Sequence, residues 1–582
     1  SLKEHMEFYI EPASQLEPDC KSDSNNKTNP PTLESDSRSG SNSKSAIPPR
    51  RIASPEEIKF MDIAAGSGHI LVYAFDLFYK IYEEEGYAPN RIPELILKNN
   101  LFGLEIDKRA ADLANLALTM KARQYDAQFF DHPIQPQVHV FEKPQLTRED
   151  AKTALAKIGF SEQTPHVLEM LEVFQHADDF GSLIRPADIP AQEMLVELDR
   201  AALTTDWVEG QVYEDLRNML QLIFLLQTKY ECVVTNPPYV NSNYMNANLV
   251  EFINSNYKEV KSDLFACFMV RAKGICKRAG MIGFVTPYVW MFINSYEWLR
   301  LNIISETTIR NLIQLEYNAF EPACVPVCTF TLRNELIESK GNYIQLAEFK
   351  GHQNQAPKTI EAIKSPSVAY RYSASQIDFS KIPGSPIAYW ATPKIIDSFT
   401  KFPATEKIIK LKAGLSTGDN TLFERYWYEV AYKNSSYSTT STEETISNGI
   451  KWYPCHSGGE FRKWFGNHSV VVNWLNNGEA IKSFGSEAGK IRSAVRNTTF
   501  YFQQGITWSK ISSGKFAARW RPSGFIFDDT GRCGFADNEA MIRVALGLFC
   551  SIVSNAFLSI LSPTLSFTSG ELAKIQIGRA HL

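Results

Sequence analysis

The sequence predicts an α/β fold: a mostly parallel sheet with an antiparallel edge, followed by an α+β domain. Three observations predict it. Between residues 56 and 335, short apolar runs alternate with long helix-periodic stretches, the pattern of βαβ units. A glycine turn, Gly66-Ser67-Gly68, joins the first such run to the first helix, as at the start of a nucleotide-binding βα unit. From about residue 336 helical periodicity weakens, and aromatics stand beside Lys, Arg, Gly and Asn.

The 582 residues suffice for two or more domains. A formal net charge of −5 argues against indiscriminate coating of nucleic acid, though not against a local basic cleft. The nine cysteines are scattered, with no CxxC or Cys/His ligand spacing, so neither a zinc site nor a disulfide framework is expected. No secretion signal or membrane-length apolar run is present, and the expectation is a cytoplasmic protein without a metal or a membrane. The chain starts at Ser1 without an initiator Met and reads as a fragment. Residues 578–582 resemble translated sequencing-adapter sequence and are set aside as an artefactual tail.

Residues 1–55 are an N-terminal remnant and a polar loop rich in Ser, Asn, Asp, Lys and Pro, which cannot bury enough apolar surface to order itself. A strand is predicted at Ile58–Asp62 and a helix at Ile70–Glu84. Gly66 and Gly68 would let a ligand approach the backbone between them, but the turn is neither GxGxxG nor a P-loop. The next strand, Asn100–Ile106, ends in Glu105 and Asp107 ahead of an Ala/Leu-rich helix. An acid there is where such folds hold ribose hydroxyls, and Glu105 is the candidate. The alternative is that both acids cap the helix, a role expected of Asp107 in either case. Residues 124–228 are predicted as a largely helical insertion, with Phe174–Ile184 reading as a third strand end that carries Asp178 and Asp179.

Tyr230–Val234 reads as a buried strand that stops at Asn236-Pro237-Pro238-Tyr239. The proline pair ends the strand and stiffens the loop, which holds an amide, backbone carbonyls and a ring together. That set suits a flat substrate with an exocyclic amine; the alternative is an ordinary strand-ending turn. Residues 240–262 are polar and suit a mobile loop over the site. A helix at Asp263–Ala279 and strands at Gly280–Pro287, Thr307–Leu315 and Val325–Arg333 follow, the last two as the antiparallel edge. Beyond them Phe423–Tyr428, Phe461–Phe465, Trp508–Lys510 and Phe516–Arg521 interleave aromatic and basic residues. Such interleaving serves phosphate and base contacts, and equally a half-exposed sheet.

Asp62-x-Ala64-x-Gly66-Ser67-Gly68-His69, Gly103-x-Glu105-Ile106-Asp107, Asp179-Phe180 and Asn236-Pro237-Pro238-Tyr239 occur in that order. The series resembles that of the amino-methylating, S-adenosylmethionine-dependent DNA methyltransferases whose cofactor motif precedes the catalytic one. With the Lys3–Met6 start and Thr417–Asn420, the chain is similar to the PglX-type adenine methyltransferases of BREX phage-defence systems and to type IIG restriction-modification enzymes. Ile63 and Ala65 stand where that family usually has Pro and often Cys; neither supplies an essential group. The family also has an earlier cofactor-contacting segment, expected upstream of Ser1.

The resemblance implies a Rossmann-like methyltransferase domain at 56–335 and a DNA target-recognition domain at 336–577. It implies S-adenosyl-L-methionine held by Asp62, Ala64, Gly66, Ser67 and Gly68, with Glu105 on the ribose and Asp179 or Asp178 on the adenine amine. Asn236, Pro237, Pro238 and Tyr239 would be the catalytic loop. Tyr239 and Phe320 would stack on a flipped-out adenine, Phe320 otherwise being a core ring. The implied partners are double-stranded DNA and other defence-system proteins. Other readings are a non-catalytic DNA-recognition component, and a methyltransferase acting on cytosine N4 or on a protein glutamine. A nicotinamide oxidoreductase lacks its GxGxxG.

Overall fold

A computed structural model describes residues 6, 8–10, 52–202, 207–320, 325–486, 489–512, 514–563 and 566–578. The expectations for residues 11–51 and for the last four residues lie outside that range. The chain divides into two compact units. The first comprises residues up to Trp290 together with Trp298–Gln376, and the second comprises Met291–Glu297 and Ile377 onward.

The first unit is built on nine strands: β1 Phe60–Asp62, β2 Leu101–Glu105, β3 Gln137–Val140, β4 Tyr230–Thr235, β5 Cys276–Pro287, β6 Thr308–Gln314, β7 Val327–Arg333, β8 Lys340–Gln345 and β9 Arg371–Ser375. Their order in the sheet is β3-β2-β1-β4-β5-β7-β6-β8-β9. Strands β1 to β5 run parallel, whereas β7 is antiparallel to both β5 and β6. The strand order reverses between β1 and β4, so the ends of these two strands flank the switch point at which open α/β sheets bind ligands. The helix His69–Glu84 buries Leu71, Phe75, Phe78 and Tyr82, and the helix Lys108–Tyr125 buries Ala114 and Leu118, in one core with Leu101.

Five sequence expectations need correction. The third parallel strand is β3, inside the segment expected to be helical, because Gln137–Val140 pairs in register with Phe102–Glu105. Phe174–Ile184 is helical instead: Asp178 and Asp179 lie in the single turn Ala177–Phe180. The segment expected to be a mobile loop carries the helix Ala247–Asn256, capped by Asn246 and anchored by buried Leu249 and Ile253. Finally, the first unit runs past residue 335 to Gln376, because β8 pairs with β6 and β9 with β8. The sheet does have an antiparallel edge, but β9 forms it, and the β6–β7 pair lies inside.

The second unit contains two four-stranded sheets. One has the order β10 (Lys410–Lys412), β17 (Gly531–Phe535), β14 (Gly505–Ser509), β15 (Ala518–Arg521). The other has β11 (Glu424–Tyr426), β13 (Val470–Asn473), β12 (Trp452–His456), β16 (Ile526–Phe527). Helices Glu539–Phe549 and Ile552–Leu561 bury Ile542, Leu548, Phe557 and Leu558 with Trp508 in its core. Among the described residues no single helix is long and apolar enough to cross a membrane.

Candidate active site

Asp62 ends β1 and is fully buried. Its Oδ1 accepts the Ala64 N–H at 3.1 Å, which folds the chain into the glycine turn. Gly66 and Gly68 have φ of +53° and +82°. At Gly68 a Cβ would come within 2.8 Å of the Ala114 Cβ, so helix packing requires glycine there. At Gly66 a Cβ would meet nothing within 4 Å, which leaves the turn open on that side. Glu105, half-buried at the end of β2, binds this turn: Oε2 accepts Gly66 N–H at 2.7 Å, and Oε1 accepts the Ile106 and Asp107 N–H groups at 2.9 and 3.0 Å. Asp107 caps the next helix by accepting Arg109 N–H at 2.8 Å. The Ser67 hydroxyl lies 2.8 Å from His69 Nδ1.

Among the described residues, the second oxygen of Asp62 and the hydroxyl of Thr235, the last residue of β4, are buried with no hydrogen bond of ordinary geometry, although the hydroxyl lies close enough to lower the Asp62 pKa. Burial pushes the Asp62 carboxyl up to about 7, assisted by the charge on Glu105 and opposed by the Thr235 hydroxyl and the Ala64 N–H. An orphaned buried acceptor beside an open glycine turn fits a group that brings its own cation or donor, as the amino-acid end of S-adenosylmethionine does. The same carboxyl makes stability depend on pH. The folded state keeps the proton up to about pH 7, whereas the unfolded chain releases it near 3.8. Stability contributed by this proton is therefore lost as pH rises between those values, at up to about 1.4 kcal/mol per pH unit. Urea unfolding at pH 5, 6 and 7 should show the native protein losing stability relative to Asp62→Asn; a constant difference would remove Asp62 from the buried, proton-holding role.

β4 pairs with β1 through Phe60–Cys232 and Met61–Val233, which brings Thr235 and Asn236 beside the Asp62 turn. Asn236 is exposed, Pro237 buried, Pro238 exposed and Tyr239 half-buried. The Tyr239 hydroxyl lies 2.7 Å from Asn236 Oδ1 and 3.0 Å from the Val285 carbonyl oxygen. Donation to Oδ1 fixes which way the amide points and leaves that oxygen a second lone pair for an incoming donor. The Tyr239 ring stands edge-on to Phe265, with centroids 6.5 Å apart.

The acidic pair separates. Asp178 forms an exposed ion pair with Lys143 at 3.1 Å. Asp179 accepts a hydrogen bond from the Asn246 amide at 2.8 Å, which joins it to the segment that follows Tyr239. The same stretch is pinned to the cofactor turn, because the Ser182 hydroxyl donates to the Ile63 carbonyl at 2.6 Å. Buried Arg271 in turn donates to the Ser182 carbonyl at 2.9 Å. Phe320 is 50% exposed, which excludes the core-ring alternative. It lies between β6 and β7, and the Pro287–Val327 pairing puts that turn at the same sheet end as Tyr239. Among the described residues Phe320 makes no ring contact with Tyr239. Sequence reasoning missed Thr235, Ser182, Asn246 and Arg271. Only Thr235 carried a signal, as a polar residue closing an apolar strand directly before the Asn-Pro-Pro-Tyr loop.

The chain resembles one class, the restriction-modification methylases, over residues 99–320, which match the family model described as Eco57I restriction-modification methylase. More particularly, the chain is similar to the PglX-type adenine-specific methyltransferases. It is 36% identical over 539 residues to the adenine-specific methyltransferase PglX of Lacticaseibacillus casei (strain Zhang), covering 90% of this chain and 44% of that protein. It is 33% identical over 607 residues to the adenine-specific methyltransferase BrxX of Escherichia coli O9:H4 (strain HS), covering 99% of this chain and 47% of that protein. The chain thus spans just under half the length of the curated relatives it matches. The resemblance read from the motif series is borne out by these alignments. A solved structure of the type IIL restriction-modification enzyme MmeI in complex with DNA aligns at a TM-score of 0.48 and 12% identity, covering 90% of this chain and 61% of that one.

Proposed function

We propose that this protein is a site-specific DNA methyltransferase of the adenine-specific kind, acting in the cytoplasm in phage defence or restriction-modification. The observation that carries the reading is the Asn236 carbonyl oxygen, fixed by the Tyr239 hydroxyl and set beside the Asp62–Glu105 turn. S-adenosyl-L-methionine would supply the methyl group. Asp62 would receive its amine, the Ala64–Gly68 backbone its methionine half, Glu105 its ribose and Asp179 its adenine amine. Asp178, engaged with Lys143, is the weaker choice for that last contact.

Adenine N6 is a poor nucleophile because its lone pair is delocalised into the ring. The Asn236 side-chain carbonyl and the Pro237 backbone carbonyl each accept one N6–H, which draws the amine toward tetrahedral geometry and localises the lone pair. Rigid Pro237 and Pro238 keep the two acceptors at a fixed separation, so the contributions are positioning and electrostatics. Since N6 is out of reach inside a duplex, the base is flipped out, with Tyr239 and Phe320 as its stacking partners. DNA and other defence-system proteins are the proposed partners, with the second unit as the target-recognition domain.

Labelled S-adenosylmethionine and unmethylated duplex DNA test this directly. Label should appear in N6-methyladenine; label on protein, or on cytosine N4, would reject the reading. Tyr239→Phe keeps the ring and removes the hydroxyl that orients Asn236. It should lower single-turnover transfer about tenfold, a loss of about 1.4 kcal/mol, with cofactor affinity unchanged. Full retained transfer would show that Asn236 needs no such support.

A further inference from the structure

We propose that Tyr244 enters the DNA duplex beside the target adenine and fills the space that the flipped base leaves, while Lys261 holds a phosphate next to that gap. The proposal rests on the adenine-methyltransferase reading and deepens it, by naming the side chains that keep the duplex open.

Tyr244 stands five residues after Tyr239, on the short turn Ser242–Tyr244. Its side chain is 85% exposed, more than any other large apolar side chain among the described residues. Among those residues its ring meets no other ring and its hydroxyl has no hydrogen bond. Its backbone, in contrast, is held from both sides. The Leu264 N–H donates to the Val240 carbonyl at 3.0 Å, and the Ser242 N–H to the Ser262 carbonyl at 3.1 Å. The Asn241 side chain also donates to the Ser262 carbonyl, at 3.2 Å, and accepts the Asn243 N–H at 3.1 Å. The Tyr244 N–H closes the turn on the Asn241 carbonyl at 2.9 Å. Beyond it, Asn246 caps the helix Ala247–Asn256 and is tied to Asp179. Five residues of chain reach at most about 18 Å, so the turn stays within about five base steps of the catalytic loop. A turn already fixed in place loses little freedom when a base stacks on the ring it presents.

The surroundings of the ring favour nucleic acid over a protein partner. Val240–Val250 carries no charged residue, and Asn241, Asn243, Asn246 and Asn248 are exposed on either side of Tyr244 in the chain. A ring that anchors a protein interface sits among other apolar side chains. Amides suit sugars, phosphate oxygens and base edges instead. The Ser242–Ser262 hydrogen bond sets Lys261 beside the same turn. Lys261 is exposed and forms no ion pair among the described residues. Its acidic neighbours in the chain leave it so: Asp263 caps the helix Leu264–Ile275 by accepting the Phe265 N–H at 3.4 Å, and Glu259 is exposed without an ion pair. An unpaired ammonium beside a bare ring is what joint phosphate contact and base stacking require.

The reaction creates the need for such a ring. Adenine N6 becomes reachable only when the base leaves the stack, and lost stacking opposes that step. The vacated layer also deprives the flanking bases of a neighbour. An apolar side chain inserted there restores contact with them and shifts the equilibrium toward the flipped state. Tyr239 and Phe320 are taken up by the flipped adenine itself. Among the described residues Tyr244 is the exposed ring nearest in the chain to the catalytic loop.

The test uses the whole protein and duplexes carrying the target adenine, located beforehand by labelled methyl transfer. In one duplex 2-aminopurine replaces the target, and its fluorescence reports the flipped base. Another has an abasic site opposite the target, so that opening costs little. Tyr244→Ala should melt and bind S-adenosylmethionine as the native protein does, because the ring is exposed. On the ordinary duplex it should lower single-turnover transfer about tenfold and reduce the fluorescence rise; on the abasic duplex transfer should return to nearly native. Tyr244→Phe should restore most of the loss, since the hydroxyl has no described partner. Lys261→Met should lower the salt slope of DNA binding by about 1. Equal losses on the ordinary and abasic duplexes, or native fluorescence and transfer in Tyr244→Ala, would overturn the insertion while leaving the methyltransferase reading intact. A lowered melting temperature in Tyr244→Ala would place the ring in a protein contact and overturn it too. An unchanged salt slope in Lys261→Met would remove the phosphate contact. Absence of methyl transfer from the native protein to any DNA would overturn both readings together.

Discussion

Replacing Asn236 with Ala is expected to lower single-turnover methyl transfer by about two to three orders of magnitude, the range found when one preorganised transition-state hydrogen-bonding group is removed. Cofactor affinity should stay native, because Asn236 lies beyond the Asp62 turn and its only described side-chain partner is the Tyr239 hydroxyl. The fold should be little affected, since the residue is exposed. Single-turnover transfer to duplex DNA and calorimetric titration of the cofactor separate the two quantities. Transfer within threefold of native would remove Asn236 from the chemistry.

The second large effect belongs to Glu105. Its carboxylate accepts the N–H groups of Gly66, Ile106 and Asp107, so it holds the glycine turn in its open shape before any ligand arrives. Hydrogen bonds to a charged acceptor contribute about 1.5–3 kcal/mol each. Water can replace Glu105 at the exposed Ile106 and Asp107 N–H groups, but the Gly66 bond shapes the turn itself. Glu105→Ala should therefore weaken S-adenosylmethionine binding at least ~30-fold, about 2 kcal/mol. Glu105→Gln, which keeps an acceptor for Gly66, should weaken it roughly tenfold less than Ala does. Equal, native affinity in both variants would show that Glu105 neither shapes the turn nor meets the ribose. Replacing Asp107, which only caps the helix, should leave affinity unchanged and serves as the control.

Much of the first unit was legible because its signals are local. The run from Phe60 to Asp62 into Gly66-Ser67-Gly68 predicts strand, turn and helix, and all three form. The run from Tyr230 to Thr235 ends where Pro237 and Pro238 demand it. The misreadings share a cause. Gln137–Val140 is too short and too polar to announce itself, and becomes a strand only because β2 offers it a paired edge. The polar stretch after Val240 reads as a loop until Leu249 and Ile253 find apolar partners. The texture change near residue 336 is real, yet the sheet continues to Ser375, since β8 and β9 are recruited by pairing and not by their own periodicity.

The sequence by itself determined the βα order of the first unit, the Asp62–Gly68 turn, the acid at Glu105 and the amide loop at Asn236, because each depends on residues adjacent in the chain. Only the tertiary structure decided that Asp179 and not Asp178 is tied to the segment after Tyr239, that Thr235 sits beside an orphaned Asp62 oxygen, and that the Tyr239 hydroxyl points the Asn236 amide. These are relations between residues from 3 to about 170 positions apart in the chain. Burial and hydrogen-bond geometry arise from the packing of strands and loops against one another, and no local pattern encodes them.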